Sequence, residues 1–404
     1  MLHIHFGAGR LGLGLIVPFF QTAAATKTFI VNRAISSLNP TGTTALSPRR
    51  RNDLLRDNPD RLYVLQQHDA RGGHRSTIRY DGFFEYGEGG DDIGAMLRTI
   101  LQGSQTDTPV VVTASLISAA NYRPVLEALE VLAAMRARDA LGPLFLVTCE
   151  NTLNAPEIFE DPDLADAITD RMRQHVTPVP ALVDRVCIGL EEGREGQHPA
   201  VTVSTEEYGS LKLELSPATE SLARHLEGSR VEFTRYVAIE KQIKNWLLNG
   251  SHWLLALAAF QESHGDRELR LNHFLNGSAE HRRFAEEVMR EMHEGIAVIL
   301  RREPQFAAFV AEVDPDTYLK GATDAILARF LGNDDPMSRI LARFQAPTQD
   351  RPETVEAFRK RFADRVNGPI AAYTEKKGAP PPAAMHSLES LDQLIESGTY
   401  INAA

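Results

Sequence analysis

LHIHFGAGRLGLGLIVPFFQ, residues 2–21, is the stretch whose reading decides the fold. Leu2–Phe6 is a short strand candidate, although His3 and His5 make it less apolar than a central parallel strand usually is. Gly7, Gly9 and Gly12 follow at once in the spacing G-x-G-x-x-G, with Arg10 among them, and the apolar residues beyond continue as a helix. The chemistry needs this order. The first glycine permits a tight turn, the second lets backbone approach a pyrophosphate, and the third lets helix pack on strand, while the helix start offers unpaired N–H groups. A glycine triplet alone marks many structural turns; one placed between a strand and a helix is a dinucleotide-binding signature.

KTFIVN, residues 27–32, reads as the next strand, at whose end an acidic residue would bind the adenine ribose diol. Asn32 and Arg33 stand there instead, which departs from a strict NAD site and opens the way to NADP, with Arg33 facing a 2′-phosphate. Arg49, Arg50 and Arg51 read as a solvated basic loop that could assist. RLYVLQQH (61–68) and STIRYDGFFEY (76–86) form a hairpin pattern around ARGG. PVVVTAS (109–115) and PLFLVTCEN (143–151) are buried-strand patterns with a helical segment between them. Strands alternating with helices predict a doubly wound parallel sheet, a Rossmann-type α/β arrangement. Ligands of such sheets lie beyond the carboxyl ends of the strands, where Ser115, Glu150 and Asn151 fall.

The remainder changes character. VTVSTEEYGSLKLEL (201–215) reads as a hairpin turning at Tyr208–Ser210, VEFTRYV (231–237) as a further strand, and every later periodic segment is helical. The expected division is a dinucleotide-binding domain over 1–236 and an all-α domain over 237–404. KKGAPPPAAM (376–385) reads as an exposed, partly extended linker. With 43 Lys+Arg against 54 Asp+Glu, the formal charge of −11 argues against nucleic acid or an anionic membrane surface as partner. Two cysteines, Cys149 and Cys187, suit neither a disulfide scaffold nor a zinc cluster. No apolar run reaches the roughly 18–20 residues of a membrane span, and no basic n-region precedes the first apolar stretch, so a cytoplasmic protein is expected.

Within the helical part, KNWLLNGSHW (244–253) carries three polar residues in an apolar setting. At about 100° per residue, Lys244, Asn249 and His252 project into one arc of roughly 140° and can line one cavity. The bland alternative is a partly exposed face with a snorkelling lysine.

Three motifs coincide in order: FGAGRLGLG at the start, TCENTLN at 148–154, and K-x4-N-x2-H at 244–252. Together with VDRV (183–186) and ILARF (326–330), they resemble the polyol-specific long-chain dehydrogenase family, which includes mannitol dehydrogenases and uronate reductases, and most closely its mannitol-1-phosphate branch. The resemblance implies a monomer that interconverts a sugar alcohol, free or phosphorylated, with its ketose, using NAD or NADP and no metal. It implies Lys244 as general acid/base, with Asn249, Asn151 and His252 as hydrogen-bonding partners at the reacting oxygen or its neighbours. It also brings forward Asp184, Arg185 and Arg329 as substrate contacts; Asp184 and Arg185 read equally as a structural ion pair. NGSH, Asn32 and LGND depart from the branch's pattern and leave two alternatives. One is a larger sugar derivative such as a uronate or a ketosyl amino acid, and the other a dinucleotide-binding sensor without turnover. The chemistry itself is consistent: hydride transfer from an alcohol needs a base for the hydroxyl proton and donors for the developing oxyanion.

Overall fold

The computed structural model describes residues 1–23, 26–35, 46–69, 72–102, 107–116, 118–138, 141–150, 154–266, 268–333, 335–337, 340 and 355–396. The chain divides into two compact units, Met1–Ala238 and Ile239–Ala404. Thirteen strands are assigned among the described residues, all of them in the first unit. They are β1 (Leu2–Phe6), β2 (Lys27–Arg33), β3 (Leu62–Asp69), β4 (Gly72–Arg79), β5 (Gly82–Tyr86), β6 (Val110–Ala114), β7 (Leu144–Thr148), β8 (Val176–Val179), β9 (Ala181–Asp184), β10 (Cys187–Glu195), β11 (His198–Glu206), β12 (Ser210–Glu214) and β13 (Val231–Thr234).

The main sheet runs β5-β2-β1-β6-β7-β8, parallel throughout. This is a doubly wound, Rossmann-type order, and it reverses direction between β1 and β6, where such sheets open a crevice. β1 is therefore central despite its two histidines, and the structure shows how. His3 and His5 are fully buried. His3 Nδ1 lies 3.4 Å from Thr28 Oγ1 and its Nε2 2.8 Å from Thr113 Oγ1, while His5 Nδ1 lies 2.7 Å from Thr113 Oγ1 and its Nε2 2.9 Å from the Gly7 carbonyl. One set of neutral tautomers satisfies every atom: the Thr28 hydroxyl donates to His3, His3 to Thr113, Thr113 to His5, and His5 to Gly7. His3 also stacks on Phe20. A buried polar network is tolerable when each member is satisfied.

Burial pushes His5 down to about 4, and burial followed by the neighbouring charge of His5 pushes His3 well below the usual histidine range. Both rings are neutral in the fold and protonate more readily once unfolded. Their contribution to stability is whole above about pH 6.5 and is lost as pH falls from there toward 4, at roughly 1.4 kcal/mol per pH unit for each histidine. Urea unfolding midpoints should fall steadily between pH 6.5 and 4.5; midpoints that stay level would contradict neutral buried rings.

Several local expectations need correction. STIRYDGFFEY is not one strand: β4 pairs with β3, while β5 leaves after Tyr80–Asp81 to join β2 in the main sheet. β11 and β12 do not form a hairpin either, since β11 joins the sheet β10-β11-β3-β4 and β12 the sheet β13-β12-β9. Arg49–Arg51 lie on a helix, Pro48–Asp57, whose Ser47 cap accepts the Arg50 N–H and whose first residue is proline, as helix starts favour.

The second unit is helical, built around Ala279–Arg302. A side chain at Gly295 would strike the Pro369 backbone, so that helix and Val355–Lys377 approach at glycine distance. The expected linker is also corrected: Lys376 and Lys377 end one helix, and Pro382 opens the next, Pro382–Glu396. Proline is tolerated in a first turn, and the buried Glu291 carboxylate accepts the Ala383 and Ala384 N–H groups at 3.1 and 2.9 Å. Among the described residues no helix is long and apolar enough to cross a membrane.

Candidate active site

The turn leaving β1 at the crevice has three distinct glycines. Gly7 holds φ at +109°, a conformation that other residues rarely adopt. A Cβ on Gly9 would meet nothing within 4 Å, whereas one on Gly12 would fall on His5 Nε2 and the Gly7 carbonyl. One glycine thus serves the turn, one faces open space, and one permits close packing. Arg10 and Leu11 begin the helix, Gly12–Ile16 form a π-helical turn, and Val17–Gln21 return to α. Arg10 is exposed, with Nη1 donating to the Ile188 carbonyl at 3.2 Å. Ser115 lies beside the turn: its N–H donates to Phe6, and its Oγ stands 3.4 Å from His5 Nε2.

Asn32, placed by sequence at the ribose, is buried and engaged elsewhere. Its Oδ1 accepts the Ala8 N–H at 3.1 Å, and its Nδ2 donates to Asn52 Oδ1 at 2.7 Å. Asn52 in turn donates to the Arg33 carbonyl at 2.9 Å and to Glu85 Oε1 at 2.7 Å. Asn32 therefore braces the glycine turn, and Arg33 remains exposed at the strand end. Glu150 is buried beyond β7, and its carboxylate accepts the Leu116 N–H. Burial, and then the charge of Glu150, push the Cys149 thiol well above its ordinary range, in keeping with a packed, unreactive cysteine. Asn151 lies outside the described residues. Asp184 ends β9, half-buried opposite Ser210.

Arg185 needs correction as a substrate contact. Its guanidinium donates to three carbonyls: Gly14 at 2.5 Å, Tyr208 at 3.0 Å and Glu207 at 2.9 Å. Burial, and then the charge of Arg230, push the guanidinium down to about 10. The side chain is 8% exposed and serves the fold. Arg185→Met should cost roughly 3 kcal/mol or more by stranding buried acceptors, with Arg185→Lys intermediate; unchanged urea midpoints in both variants would refute this role.

In the second unit the helix Val237–Lys244 passes into a π turn, Asn245–Gly250, and then into the α-helix Ser251–Glu262. Trp246, Leu247, Leu248 and Gly250 are buried, whereas Lys244, Asn245, Asn249 and His252 are only half-buried. The angles drawn for an ideal α-helix do not hold here. A π turn closes i→i+5, so Lys244 and Asn249, five apart, come onto one face instead of standing about 140° apart. Asn249 Nδ2 donates to Asn245 Oδ1 at 3.4 Å. The His252 ring stacks on Phe330, with centroids 4.8 Å apart, and its Nε2 is 3.6 Å from a carboxylate oxygen of the buried Asp335. Arg329, beside Phe330, is half-buried on the helix Pro315–Gly332. Sequence reasoning missed Asn52, Asn245 and Asp335. Asp335 directly follows the LGND segment (331–334) that departs from the family's pattern, which is the one signal that could have drawn attention to it.

This architecture, a six-stranded doubly wound sheet with a glycine-rich turn at its switch point and a separate helical unit, is one that dinucleotide-dependent dehydrogenases share. No protein-family model matches the chain, and no curated protein is similar to it in sequence. Among solved structures it is similar to a D-sorbitol dehydrogenase in substrate-free form, with a TM-score of 0.55 at 12% identity over 99% of this chain and 94% of that one. It is also similar to mannitol 2-dehydrogenase of Pseudomonas fluorescens in ternary complex with NAD and D-mannitol, with a TM-score of 0.53 at 15% identity over 99% of this chain and 87% of that one. At such identities the likeness establishes the fold.

Proposed function

We propose that this chain is a nicotinamide-dinucleotide-dependent oxidoreductase that interconverts a sugar alcohol, free or phosphorylated, with its ketose, with Lys244 as general acid/base. The observation that carries the reading is the π turn, which puts Lys244 and Asn249 on one face of a helix whose neighbouring side chains are buried. The first unit is assigned the dinucleotide, and its residues fit one: Gly9 leaves open space, Gly7 turns the backbone, and Gly12 seats the helix. The nicotinamide, when bound, supplies the hydride acceptor or donor. The work of the chain is then acid–base and positional. Lys244 Nζ takes the hydroxyl proton in the oxidative direction and returns it in the reductive one. The Asn249 amide donates to the reacting oxygen with its N–H not held by Asn245, and needs no titration to do so. His252, steadied by Phe330 and Asp335, hydrogen-bonds a neighbouring hydroxyl. Asn151 is proposed as a second amide donor, and Asp184 and Arg329 as contacts to the sugar chain.

The test is the loss of reduced-nicotinamide absorbance when the protein meets NADH or NADPH with ketoses, ketose phosphates, uronates and ketosyl amino acids. Turnover of a free or phosphorylated ketose is expected. Turnover confined to uronates or ketosyl amino acids would replace the substrate assignment. Dinucleotide binding without turnover on any of them would sink the catalytic reading in favour of a sensor.

A further inference from the structure

We infer that the dinucleotide taken by this chain carries a 2′-phosphate on its adenosine ribose, gripped by Arg51 and Arg33. The inference rests on the dinucleotide assignment above and names the form of the cofactor. Three observations carry it.

First, among the described residues no side chain at the end of β2 offers an acceptor left over for a ribose diol. The strand end has no carboxylate, and the amide of Asn32 is committed at both ends, to Ala8 and to Asn52. Glu85, an acid beside this strand end, pairs with Asn32 in register on β5, but its oxygens are taken by Asn52 Nδ2 at 2.7 Å and Arg56 Nη1 at 2.5 Å. It is thus kept from binding ribose and has its charge matched by Arg56.

Second, the arginines of this corner are not equivalent. Arg50 is paired bidentately with Glu192 at 2.8 and 2.5 Å, and Arg56 with Glu85 and Asp53. Arg51 is different. It is half-buried, its Nε is enclosed without a hydrogen-bond partner, and it enters no ion pair among the described residues. Burial alone pushes it down to about 10. Enclosing one guanidinium N–H with nothing to pair it is costly, and a phosphate dianion offsets that cost through charge-assisted hydrogen bonds.

Third, the placement is right. Asn52 donates to the Arg33 carbonyl at 2.9 Å, so Arg51 and Arg33 flank the bond that ties helix Pro48–Asp57 to the end of β2. Arg51 shares a helix stripe with Leu55, four residues on, and Leu55 packs in the same cluster as Ala8 and Leu13 of the glycine turn. One turn nearer the helix start, Arg51 stands toward the carboxyl ends of the strands, where the adenosine half of a dinucleotide lies in such sheets.

Calorimetry on the full chain with adenosine 2′,5′-bisphosphate, 5′-AMP and inorganic phosphate tests this directly. The bisphosphate should bind roughly ten- to a hundredfold more tightly than 5′-AMP, and the margin should shrink as salt rises. Arg51→Gln should remove most of that margin while leaving 5′-AMP affinity as it was, and Arg33→Gln should remove a smaller part; the second variant decides the matter if the first does not fold. Equal affinity for the two nucleotides, an unchanged ratio in the folded variants, or inorganic phosphate binding as tightly as the bisphosphate would overturn the inference while leaving the dinucleotide assignment standing. Binding of neither nucleotide would overturn both.

Discussion

Replacing Lys244 with alanine is expected to lower kcat by about two to four orders of magnitude, while the melting temperature and dinucleotide affinity stay close to the parent's. The asymmetry follows from where the residue sits. Lys244 is half-buried at the start of a π turn whose packing is carried by Trp246, Leu247 and Leu248. Truncating the lysine removes an ammonium and a flexible stem but leaves that packing in place. Two companion measurements separate chemistry from structure. Added primary amines should restore part of the turnover to the alanine variant, because they supply the missing base. Lys244→Arg should stay inactive, since a guanidinium keeps its proton at any working pH. An alanine variant turning over at the parent rate would remove Lys244 from the mechanism.

The second large effect is expected from Gly12→Ala. The added methyl falls on His5 Nε2 and the Gly7 carbonyl, and neither can retreat easily. His5 is held by Thr113, and Gly7 already occupies a backbone region with φ of +109°. Overpacking of this kind costs about 1–3 kcal/mol, and the displaced turn should weaken dinucleotide binding by at least roughly tenfold, or 1.4 kcal/mol. Gly9→Ala is the informative contrast. Its methyl meets nothing within 4 Å, so the melting temperature should hold while dinucleotide affinity falls. Thermal melts and dissociation constants for both variants check the pair. If Gly9→Ala binds as the parent does, the turn is a packing device and the dinucleotide assignment loses its main support.

What could be read from sequence was whatever is encoded within a few residues. The β1–turn–helix unit is local: a short extended run, glycines at fixed offsets and an apolar helix all lie within Leu2–Gln21. The parallel sheet was legible for the same reason, from strands and helices in alternation. Destinations were not legible. β11 and β12 carry strand alternation and a plausible turn between them, but they pair elsewhere: β11 with the preceding β10 and the distant β3, and β12 with β9 and β13. Asn32 could be placed at a strand end, but not on Ala8 and Asn52, because Asn52 reaches it only once the helix Pro48–Asp57 has packed. Arg185 read equally as a substrate contact and as half of a structural ion pair with Asp184. Its three carbonyl partners come from two other regions of the unit, around Gly14 and at Glu207–Tyr208. Of the polar trio, the residue types were legible and their angles were not, since helical wheels assume a constant advance per residue.

That last feature bears on how the chain can be compared and altered. A π turn is, in effect, one surplus residue accommodated inside a helix. Removing one residue between Asn245 and Gly250 would let the helix run on as α with Lys244 and His252 on the faces they hold now, because the wide turn has already absorbed the surplus. K-x4-N-x2-H in a helix with this turn and K-x3-N-x2-H in one without it thus present the same face. An ideal wheel drawn through the surplus position instead puts His252 about 100° from the side on which the helix holds it.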